Sequence, residues 1–489
     1  SRERAFTPEA LKATGKPTLL AQAGIHAGEI DGKDAGLMLL RDMTVHRQKA
    51  DLLNGANFLF IPIFNVDGHE RFSRYNRINQ RGPREMGWRT TAQNLNLNRD
   101  YTKLDTPEMQ ALIRALNIWQ PDLYFDLHVT DGADYQYDIT FGYTGPHGYS
   151  PAIATWLDTR LRPALNHDLR AMGHIPGPLV FAVNNRNFKQ GIVDWTATPR
   201  FSNGYGDLRH LPTVLVENHS LKPYKQRVLG TYVLLESSLR LLAKAGKSLR
   251  DAIKADQTRH VARVPLAWRV SRQKAPEMIE FLGISSRLDS SEVTGSTYLQ
   301  WTGKPIKMTI PLLRMNMPSL QVDLPKAYWL PPSCSTVIAR LKLHGVRMER
   351  TSTPRVVTVD MYRLREFKLA ERPFEGHVRV TAKYNVEKRQ QRYPAGSVRI
   401  PTDQPLADLA AVLLEPDSPD SFFQWGFFMN ILSRTEYAEP YVMIPMAEKM
   451  LANDPDLRAE FEKKLKQDAR FAQNPRARLQ WFYQRTPYY

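Results

Sequence analysis

The distribution of apolar residues changes along the chain and divides it into regions of different structure. Up to about residue 255, apolar runs of strand length alternate with longer segments that have leucines at helical spacing, which is the pattern of an α/β fold. The apolar runs lack strict alternation, as expected for central strands covered on both faces. The predicted strands span residues 18–25, 56–64, 123–127 and 213–216, and the predicted helices span 106–119, 150–172 and 225–255.

Beyond about residue 260 the segments become short and rich in β-branched and aromatic residues, with Pro and Gly between them, which indicates β structure. Strands are predicted in "GSTYLQWT", "IKMTIPLL", "STVIARLKLHG", "RVVTVDMYRL" and "HVRVTAKYNV". From about residue 421 the pattern is helical again, most clearly in "DPDLRAEFEKKLKQDARF". We therefore predict an α/β domain over residues 1–258 with a mixed, largely parallel central sheet and helices on both faces. A β-rich accessory domain over 259–418 and a helical C-terminal segment over 419–489 are expected to follow.

The composition is that of an ordinary globular protein. Of the 489 residues, 42% are hydrophobic and 24% charged, and no apolar run approaches the roughly 18 to 20 residues that span a bilayer. The single cysteine, Cys334, excludes an internal disulfide and a cysteine-rich metal cluster. The formal net charge is +17, but the basic residues are scattered and no nucleic-acid-binding motif is present. We therefore expect no nucleic-acid partner, and attraction to an anionic surface explains the charge more simply.

Polar residues with catalytic or ligating ability follow each of the four predicted strands. His26 follows the first strand, Asn65 and Asp67 follow the second, His128 ends the third, and Glu217 ends the fourth. In open α/β sheets, ligands bind in the crevice at the carboxyl ends of the strands. A single histidine at such a position is usually a buried core residue, but four strands ending in this way favour a functional site.

The segment "GIHAGEIDGKDA" contains His26 and Glu29, and taken alone it fits either two metal ligands or the polar rim of a strand-to-helix turn. With His128 these residues supply two imidazoles and one carboxylate, which is a ligand set of catalytic zinc with the fourth position open. We therefore expect one zinc ion at these three residues. Glu217 is the candidate general base, because a carboxylate outside the ligand set is needed to take the proton of the attacking water.

Two further segments supply cationic and amide groups. An arginine near the metal, such as Arg89 in "GWRTT", could stabilise an oxyanion, and Asn98 with Arg99 in "NLNLNRDY" could hold a substrate carboxylate. Each is weak evidence alone, since most arginines on loops are solvated surface residues.

The ordered set HAGE, NVDG, WR, NLNRD, DLH and LVEN resembles the zinc metallocarboxypeptidases of the M14 family, the carboxypeptidase A-like peptidases, over roughly residues 15–255. The resemblance implies that His26, Glu29 and His128 are the zinc ligands and that Glu217 is the catalytic glutamate. It further implies that Arg89 is the oxyanion arginine.

The same resemblance implies that Asn98 and Arg99 bind the C-terminal carboxylate of a peptide, and Tyr205 is the nearest candidate for the family's mobile substrate-binding tyrosine. Two departures concern the acidic loop after His128 and the start of the chain. Asp131 and Asp134 could bind a substrate amine or could form a solvated loop. The family fold places a strand–helix–strand unit before the HxxE strand, so part of the usual domain is expected to be missing.

The resemblance implies a zinc-dependent carboxypeptidase that hydrolyses a C-terminal peptide bond by glutamate-assisted attack of zinc-bound water, with a peptide carrying a free carboxylate as its substrate. Two alternatives stay open: a zinc amidohydrolase or deacylase acting on N-acyl amino acids or cell-wall peptides, and an inactive binding protein on the same fold. A periplasmic or secreted location is expected, with a cytoplasmic one left open, and the oligomeric state is not predicted.

Overall fold

A computed structural model describes residues 1–271, 275–433 and 436–489 of the chain. The described residues form two compact units, Ser1–Phe427 and Phe428–Tyr489. The predicted domain boundaries at residues 258 and 418 stay predictions.

Fifteen α-helices are assigned in the described ranges, and short 3₁₀ turns accompany them. In chain order the helices are α1 (Pro8–Ala13), α2 (Asp31–Thr44), α3 (Leu52–Gly55), α4 (Val66–Glu70), α5 (Pro107–Trp119), α6 (Pro151–Trp156), α7 (Arg162–Ala171), α8 (Ser202–Leu208), α9 (Tyr224–Gln257), α10 (Ser335–His344), α11 (Ala407–Leu414), α12 (Pro440–Asn453), α13 (Pro455–Gln467), α14 (Ala469–Ala472) and α15 (Pro475–Tyr483).

Sixteen strands are assigned in the same part of the chain. They are β1 (Thr18–Ala23), β2 (Asn57–Ile61), β3 (Leu123–Val129), β4 (Ile139–Gly142), β5 (Pro176–Gly177), β6 (Ile192–Asp194), β7 (Thr213–Asn218), β8 (Arg263–Arg269), β9 (Glu277–Ser291), β10 (Ser296–Arg314), β11 (Met317–Asp323), β12 (Ala327–Leu330), β13 (Glu349–Arg350), β14 (Arg355–Leu369), β15 (Val380–Tyr393) and β16 (Val398–Pro401).

The central sheet has six strands in the order β2-β1-β3-β7-β4-β5. All neighbouring strands run parallel except β4 and β7, which are antiparallel. The four predicted strands are β1, β2, β3 and β7, and the sequence pattern missed β4 and β5, which have only four and two residues. With the β-rich region and the C-terminal helices, this architecture confirms the predicted fold class.

The two faces of the sheet differ in chemistry because side chains alternate along each strand. In β3, Leu123, Phe125 and Leu127 join the apolar core that includes residues of α2 and α9. The alternate side chains Tyr124 and Asp126 face the other way, where the Tyr124 hydroxyl lies 2.8 Å from that of Tyr101 and where α8 packs against β7. Helices therefore cover both faces, and polar groups are concentrated on one of them.

The predicted helices are confirmed, although one is interrupted in form. Thr106 caps α5 by accepting a hydrogen bond from the Met109 N–H, and α9 extends over 34 residues. The segment predicted as one helix over residues 150–172 consists of α6, a π-helical turn at Leu157–Leu161, and α7. The segment is therefore helical throughout, as the sequence pattern predicts, but one of its turns has the wider π-helical form.

The β prediction for "STVIARLKLHG" is wrong, because this segment is the helix α10. Its buried residues Val337, Ile338, Leu341 and His344 recur three and four positions apart, which is helical rather than strand periodicity. Gly345 ends the helix with a φ of +84°. The segments "GSTYLQWT" and "IKMTIPLL" are not separate strands but join in β10, which has a break in register between Trp301 and Pro305.

The unit Phe428–Tyr489 contains α12 to α15, which surround a core that includes Phe461, Phe471, Trp481 and Phe482. The helical prediction for the C-terminal segment is therefore confirmed for these helices. Across the described ranges, none of the helices combines the length and apolar character required to cross a bilayer. The periplasmic or secreted location stays a prediction.

His344 predicts a specific dependence of stability on pH. The residue is fully buried, its Nε2 donates to Thr102 O at 2.9 Å, and its Nδ1 lies 2.8 Å from the Tyr205 hydroxyl, so a neutral ring satisfies both contacts. Burial lowers the pKa of His344 to about 3. Between that value and the unfolded value of about 6.5, only the unfolded chain binds the proton. Stability from this residue is therefore complete above pH 6.5 and is lost as the pH falls.

We expect the free energy of unfolding of the wild type to fall relative to that of His344→Gln by up to about 1.4 kcal/mol per pH unit between pH 6.5 and 4. Urea unfolding of both proteins across this range measures the difference, in which all other titrating groups cancel. Parallel pH dependences of the two proteins would contradict the assignment.

Candidate metal centre and active site

His26 and Glu29 lie in the tight turn between β1 and α2. Gly24, at the end of β1, has a φ of +68°, which favours glycine, and the backbone N–H of Glu29 donates to His26 O at 2.9 Å. Both side chains are almost completely buried, at 3% and 2% exposure. The turn therefore brings an imidazole and a carboxylate together at the carboxyl end of β1.

His128 and Glu217 are direct neighbours because β3 and β7 pair in parallel with these two residues in register. Their side chains therefore lie side by side on the polar face of the sheet. β3 also pairs with β1, so His128 lies near the turn that follows β1, and its ring centroid is 5.1 Å from that of His26.

The Glu29 carboxylate lies at the centre of this group. Its Oε1 is 2.9 Å from His26 Nδ1 and 3.0 Å from Arg77 Nη1, and its Oε2 is 3.0 Å from His128 Nδ1. The backbone N–H of Val129 donates to Oε2 at 3.1 Å. Every contact comes from a nitrogen, so the site is arranged around a fixed negative charge.

The three side chains fit a divalent metal. Their donor atoms all lie within 4.8 Å of one another, and both Nδ1 atoms face the carboxylate. The opposite ring nitrogens are fixed, His26 Nε2 by Asn96 Oδ1 at 3.1 Å and His128 Nε2 by Asp126 Oδ2 at 2.9 Å. Zinc-ligating histidines typically use one ring nitrogen for the metal and hold the other through such a partner. Two imidazoles and one carboxylate are also a donor set that zinc prefers.

Burial and neighbouring charges shift the pKa values of these groups. Burial alone would raise the pKa of Glu29, but the charges of His26 and Arg77 and the hydrogen bonds from both histidines hold it well below its usual value. Burial lowers the pKa of His26. His128 is buried as well, yet the carboxylate of Asp126 raises its pKa well above the usual value. The cations and hydrogen-bond donors around Glu29 therefore keep its carboxylate ionised.

The pKa of Glu217 is shifted in the opposite direction to that of Glu29. Burial, together with the charges of Glu29, Asp131 and Asp126, raises its pKa to about 8, although His128 opposes the rise. Its Oε2 has no hydrogen-bond partner within the described chain. A cation bound at the neighbouring cluster would lower this pKa, because it would favour the carboxylate form.

A cavity of about 640 Å³ opens onto the cluster, and the predicted ligands, Glu217, Arg89, Asn98 and Arg99 all line it, whereas Tyr205 does not. Asn98 and Arg99 lie on a 3₁₀ turn at Leu97–Arg99, and the Arg99 guanidinium lies 4.4 Å from the centroid of the Phe201 ring. Asn98 is buried and its Oδ1 has no hydrogen-bond partner in the described chain. The residues that line the cavity include His26, Glu29, Arg89, Asn98, Arg99, His128, Asp131, Tyr135, Leu179, Phe181, Trp195, Phe201 and Glu217.

Asn65 and Asp67 follow β2 as predicted, but they support a loop and do not line the cavity. Asn65 caps α4 by accepting from the Gly68 N–H, and its Nδ2 donates to Arg89 O at 3.2 Å. Asp67 accepts from the backbone N–H of Ala92 at 2.9 Å. They therefore fix the segment that carries Arg89.

Tyr205 is not brought to the cavity. It lies on α8, is fully buried, and its hydroxyl contacts His344, as described above. Tyr135 lines the cavity instead. The sequence suggested Tyr205 only by its place before Glu217, and that order does not report which way α8 turns the side chain.

The two acidic residues of the loop after His128 differ in environment. Asp134 pairs with His219 at 3.2 Å and lies 3.5 Å from Lys222 Nζ. Asp131 lines the cavity, and its side chain is 73% exposed. Of the two, only Asp131 is placed to meet a ligand.

Sequence reasoning missed Asn96, Asp126 and Arg77. Asp126 lies two positions before His128 on β3, so the alternation of strand side chains could have placed it on the same face. Asn96 lies two positions before Asn98 on an irregular turn, and Arg77 reaches Glu29 from a loop. Neither of these two has a periodic signal that would have revealed it.

Fold and site together define a class of protein: an α/β protein with a largely parallel central sheet and a candidate His–Glu–His metal centre at the carboxyl edge of that sheet. Residues 4–150 match the family model of the zinc carboxypeptidases, Peptidase_M14. This match confirms the predicted resemblance to the M14 family over residues 4–150, and the predicted enzyme class, a metallocarboxypeptidase hydrolase, agrees with it. The matched range contains every predicted site residue except Tyr205 and Glu217.

Curated relatives and solved structures that are similar to this chain are also named as carboxypeptidases. The chain is 24% identical to carboxypeptidase 2 of Trichophyton tonsurans and of Trichophyton rubrum, over 83% of this chain and 73% of each relative. Among solved structures it is similar to carboxypeptidase A from Helicoverpa armigera, with 17% identity, a TM-score of 0.36, and coverage of 49% of this chain and 64% of that one. A metallo-carboxypeptidase from Pseudomonas aeruginosa in complex with (2-guanidinoethylmercapto)succinic acid has 18% identity, a TM-score of 0.33, and coverage of 48% and 58%. The chain thus spans less than two thirds of either structure.

Asp126→Asn tests the metal centre without removing a ligand. Loss of the carboxylate that fixes the His128 ring should weaken Zn²⁺ affinity roughly tenfold to a hundredfold while one equivalent still binds at saturation. Competition with a chromogenic chelator measures the affinity, and Asp360→Asn, an exposed substitution on β14, is the matched control. Unchanged zinc affinity in Asp126→Asn would contradict the assignment.

Proposed function

We propose that the protein is a zinc-dependent metallocarboxypeptidase that hydrolyses the peptide bond before a free C-terminal carboxylate. The main support for the proposal is one cavity lined by two chemically different sets of residues. One set is the candidate zinc ligands with Glu217, and the other, Arg89, Asn98 and Arg99, supplies cationic and amide groups. The C-terminal carboxylate of a peptide requires the cationic and amide groups, and its scissile carbonyl requires the candidate metal site within the same cavity.

His26, Glu29 and His128 would hold the zinc ion, which when bound polarises a carbonyl and lowers the pKa of water. Glu217 then accepts the proton of the attacking water and delivers it to the leaving amine. Its position supports this role, because it is in register with His128 and its Oε2 has no partner within the described chain.

Substrate orientation is assigned to the cationic residues. The Arg99 guanidinium and the Nδ2 of Asn98 donate charge-assisted hydrogen bonds to the C-terminal carboxylate, and the unpartnered Oδ1 of Asn98 accepts from an N–H of the adjoining substrate backbone. Arg89, whose Nη1 lies 3.6 Å from Glu29 Oε1, is close enough to the candidate metal centre to stabilise the oxyanion of the tetrahedral intermediate. The aromatic rings of Trp195 and Phe201 line the same cavity and supply apolar surface for a substrate side chain.

Glu217→Gln should retain one zinc equivalent and lose roughly 10²- to 10⁴-fold in kcat, because the amide cannot accept the proton of water. Release of the C-terminal amino acid from a short peptide, followed by mass, measures the rate, and metal analysis measures the zinc. Glu387→Gln, at a partly exposed position on β15, is the control. Normal turnover by the zinc-loaded Glu217→Gln protein would overturn the proposal.

Arg99→Ala should lower kcat/KM about 10- to 100-fold for a peptide with a free C-terminus, which is the effect of losing one or two charge-assisted hydrogen bonds. The wild type should fail on the C-terminally amidated peptide. Arg389→Ala, at an exposed site on β15, should behave as the wild type. Equal cleavage of free and amidated peptides by the wild type would exclude carboxylate recognition.

A further inference from the structure

A two-residue hairpin far downstream in the chain contacts the segment that carries Asn98 and Arg99. Phe374 and His377 form an antiparallel bridge, with their backbone N–H groups donating to each other's carbonyl oxygens at 2.8 and 3.1 Å. Glu375 forms the tip of this hairpin, and its Oε2 accepts a hydrogen bond from the backbone N–H of Asn96 at 2.8 Å. The β-rich region therefore reaches the edge of the candidate site.

The backbone at the tip makes glutamate an unusual choice. Glu375 has a φ of +50° and Gly376 a φ of +80°, as two-residue turns of this kind require. Asn, Asp and Gly are the residues that adopt this conformation most readily, and other residues adopt it at a cost. A functional contact explains a longer carboxylate here, because its length allows Oε2 to reach Asn96.

Asn96 connects the hairpin to the site. Its side-chain Oδ1 lies 3.1 Å from His26 Nε2 and accepts a hydrogen bond from the backbone N–H of Asn98 at 2.9 Å. One amide oxygen thus orients both a candidate metal ligand and a candidate carboxylate-binding residue. Because Glu375 binds the backbone N–H of Asn96, it influences the orientation of His26 and Asn98 through that one residue.

The hairpin is fixed to the same segment at a second point. His377 Nε2 lies 2.7 Å from Asp105 Oδ2, nine residues after Asn96. The charge of Glu375 also acts on Arg99, whose pKa is lowered by burial and by Arg89, and Glu375 opposes that effect. The segment from Asn96 to Asp105 is therefore held at both ends by one downstream hairpin.

The geometry points to Glu375 as a positioning residue that sets the orientation of Asn98 and Arg99 for the substrate carboxylate. This inference rests on the proposed function and makes the β-rich region a part of the substrate-binding site. It predicts that a change at the hairpin tip weakens carboxylate binding although Glu375 itself does not line the cavity.

Glu375→Asp is the most informative variant. Aspartate keeps the charge and adopts a positive φ more readily than glutamate, so the protein should fold with an unchanged or higher midpoint of thermal unfolding. The side chain is shorter by one methylene group and loses the contact with Asn96. We expect KM for a free-carboxylate peptide to rise about tenfold with kcat within threefold of the wild type.

Glu375→Gln keeps the full side-chain length and an oxygen acceptor, so its KM should lie within threefold of the wild-type value. Glu371→Asp, an exposed glutamate four positions earlier, is the matched control and should change nothing. Wild-type KM in Glu375→Asp would overturn the inference. A rise in KM confined to Glu375→Gln would also overturn it, because charge rather than position would then be the cause.

Binding of N-acetyl-L-phenylalanine, measured by calorimetry with its C-terminal amide as the uncharged comparison, separates this inference from the proposed function. The Glu375→Asp protein should bind the free acid about tenfold more weakly than the wild type. A wild type that binds the acid but cleaves no peptide would overturn the proposed function, and the binding of Glu375→Asp would still decide the role of Glu375. A wild type that neither cleaves nor binds would overturn both.

Discussion

The buried carboxylate of Glu29 is the constraint on which the candidate site depends. A carboxylate at 2% exposure is costly unless cations and hydrogen-bond donors surround it, and here His26, His128, Arg77 and the Val129 N–H all do so. These donors come from the turn after β1, from β3 and from a loop. Their convergence on one charge therefore ties the local geometry of three chain segments together, and a divalent cation would meet the same charge.

The strand register of the central sheet fixes the relative positions of these residues. Parallel pairing of β3 with both β1 and β7 places His128 between the turn with His26 and the side chain of Glu217. The pKa values of the two glutamates shift in opposite directions. That of Glu29 is lowered because nitrogen donors surround it, and that of Glu217 is raised because it is buried and faces other carboxylates. Two carboxyl groups in one cavity thus acquire different proton affinities, as a ligand and a proton-transfer residue require.

The sequence predicted the parts of this structure that depend on periodicity and strand order. Apolar runs located β1, β2, β3 and β7, and polar residues at their ends located His26, His128 and Glu217. Helix α10 was missed because Val and Ile dominate its start and outweigh the helical spacing of its buried residues. Asn96, Arg77 and Glu375 were missed because their contacts cross long sequence distances, up to 279 residues, and depend on tertiary packing. Tyr205 does not line the cavity, because motif order alone does not reveal side-chain direction.

X-ray absorption at the zinc edge of the purified wild-type protein, with the metal content measured on the same sample, identifies the atoms that hold the metal. We expect one zinc per chain with two imidazole nitrogens at about 2.0–2.1 Å and oxygen ligands at about 2.0–2.2 Å. A zinc content below about half an equivalent would contradict it. So would a sulfur ligand, which only Cys334 or a methionine could supply and which the His26–Glu29–His128 cluster does not contain.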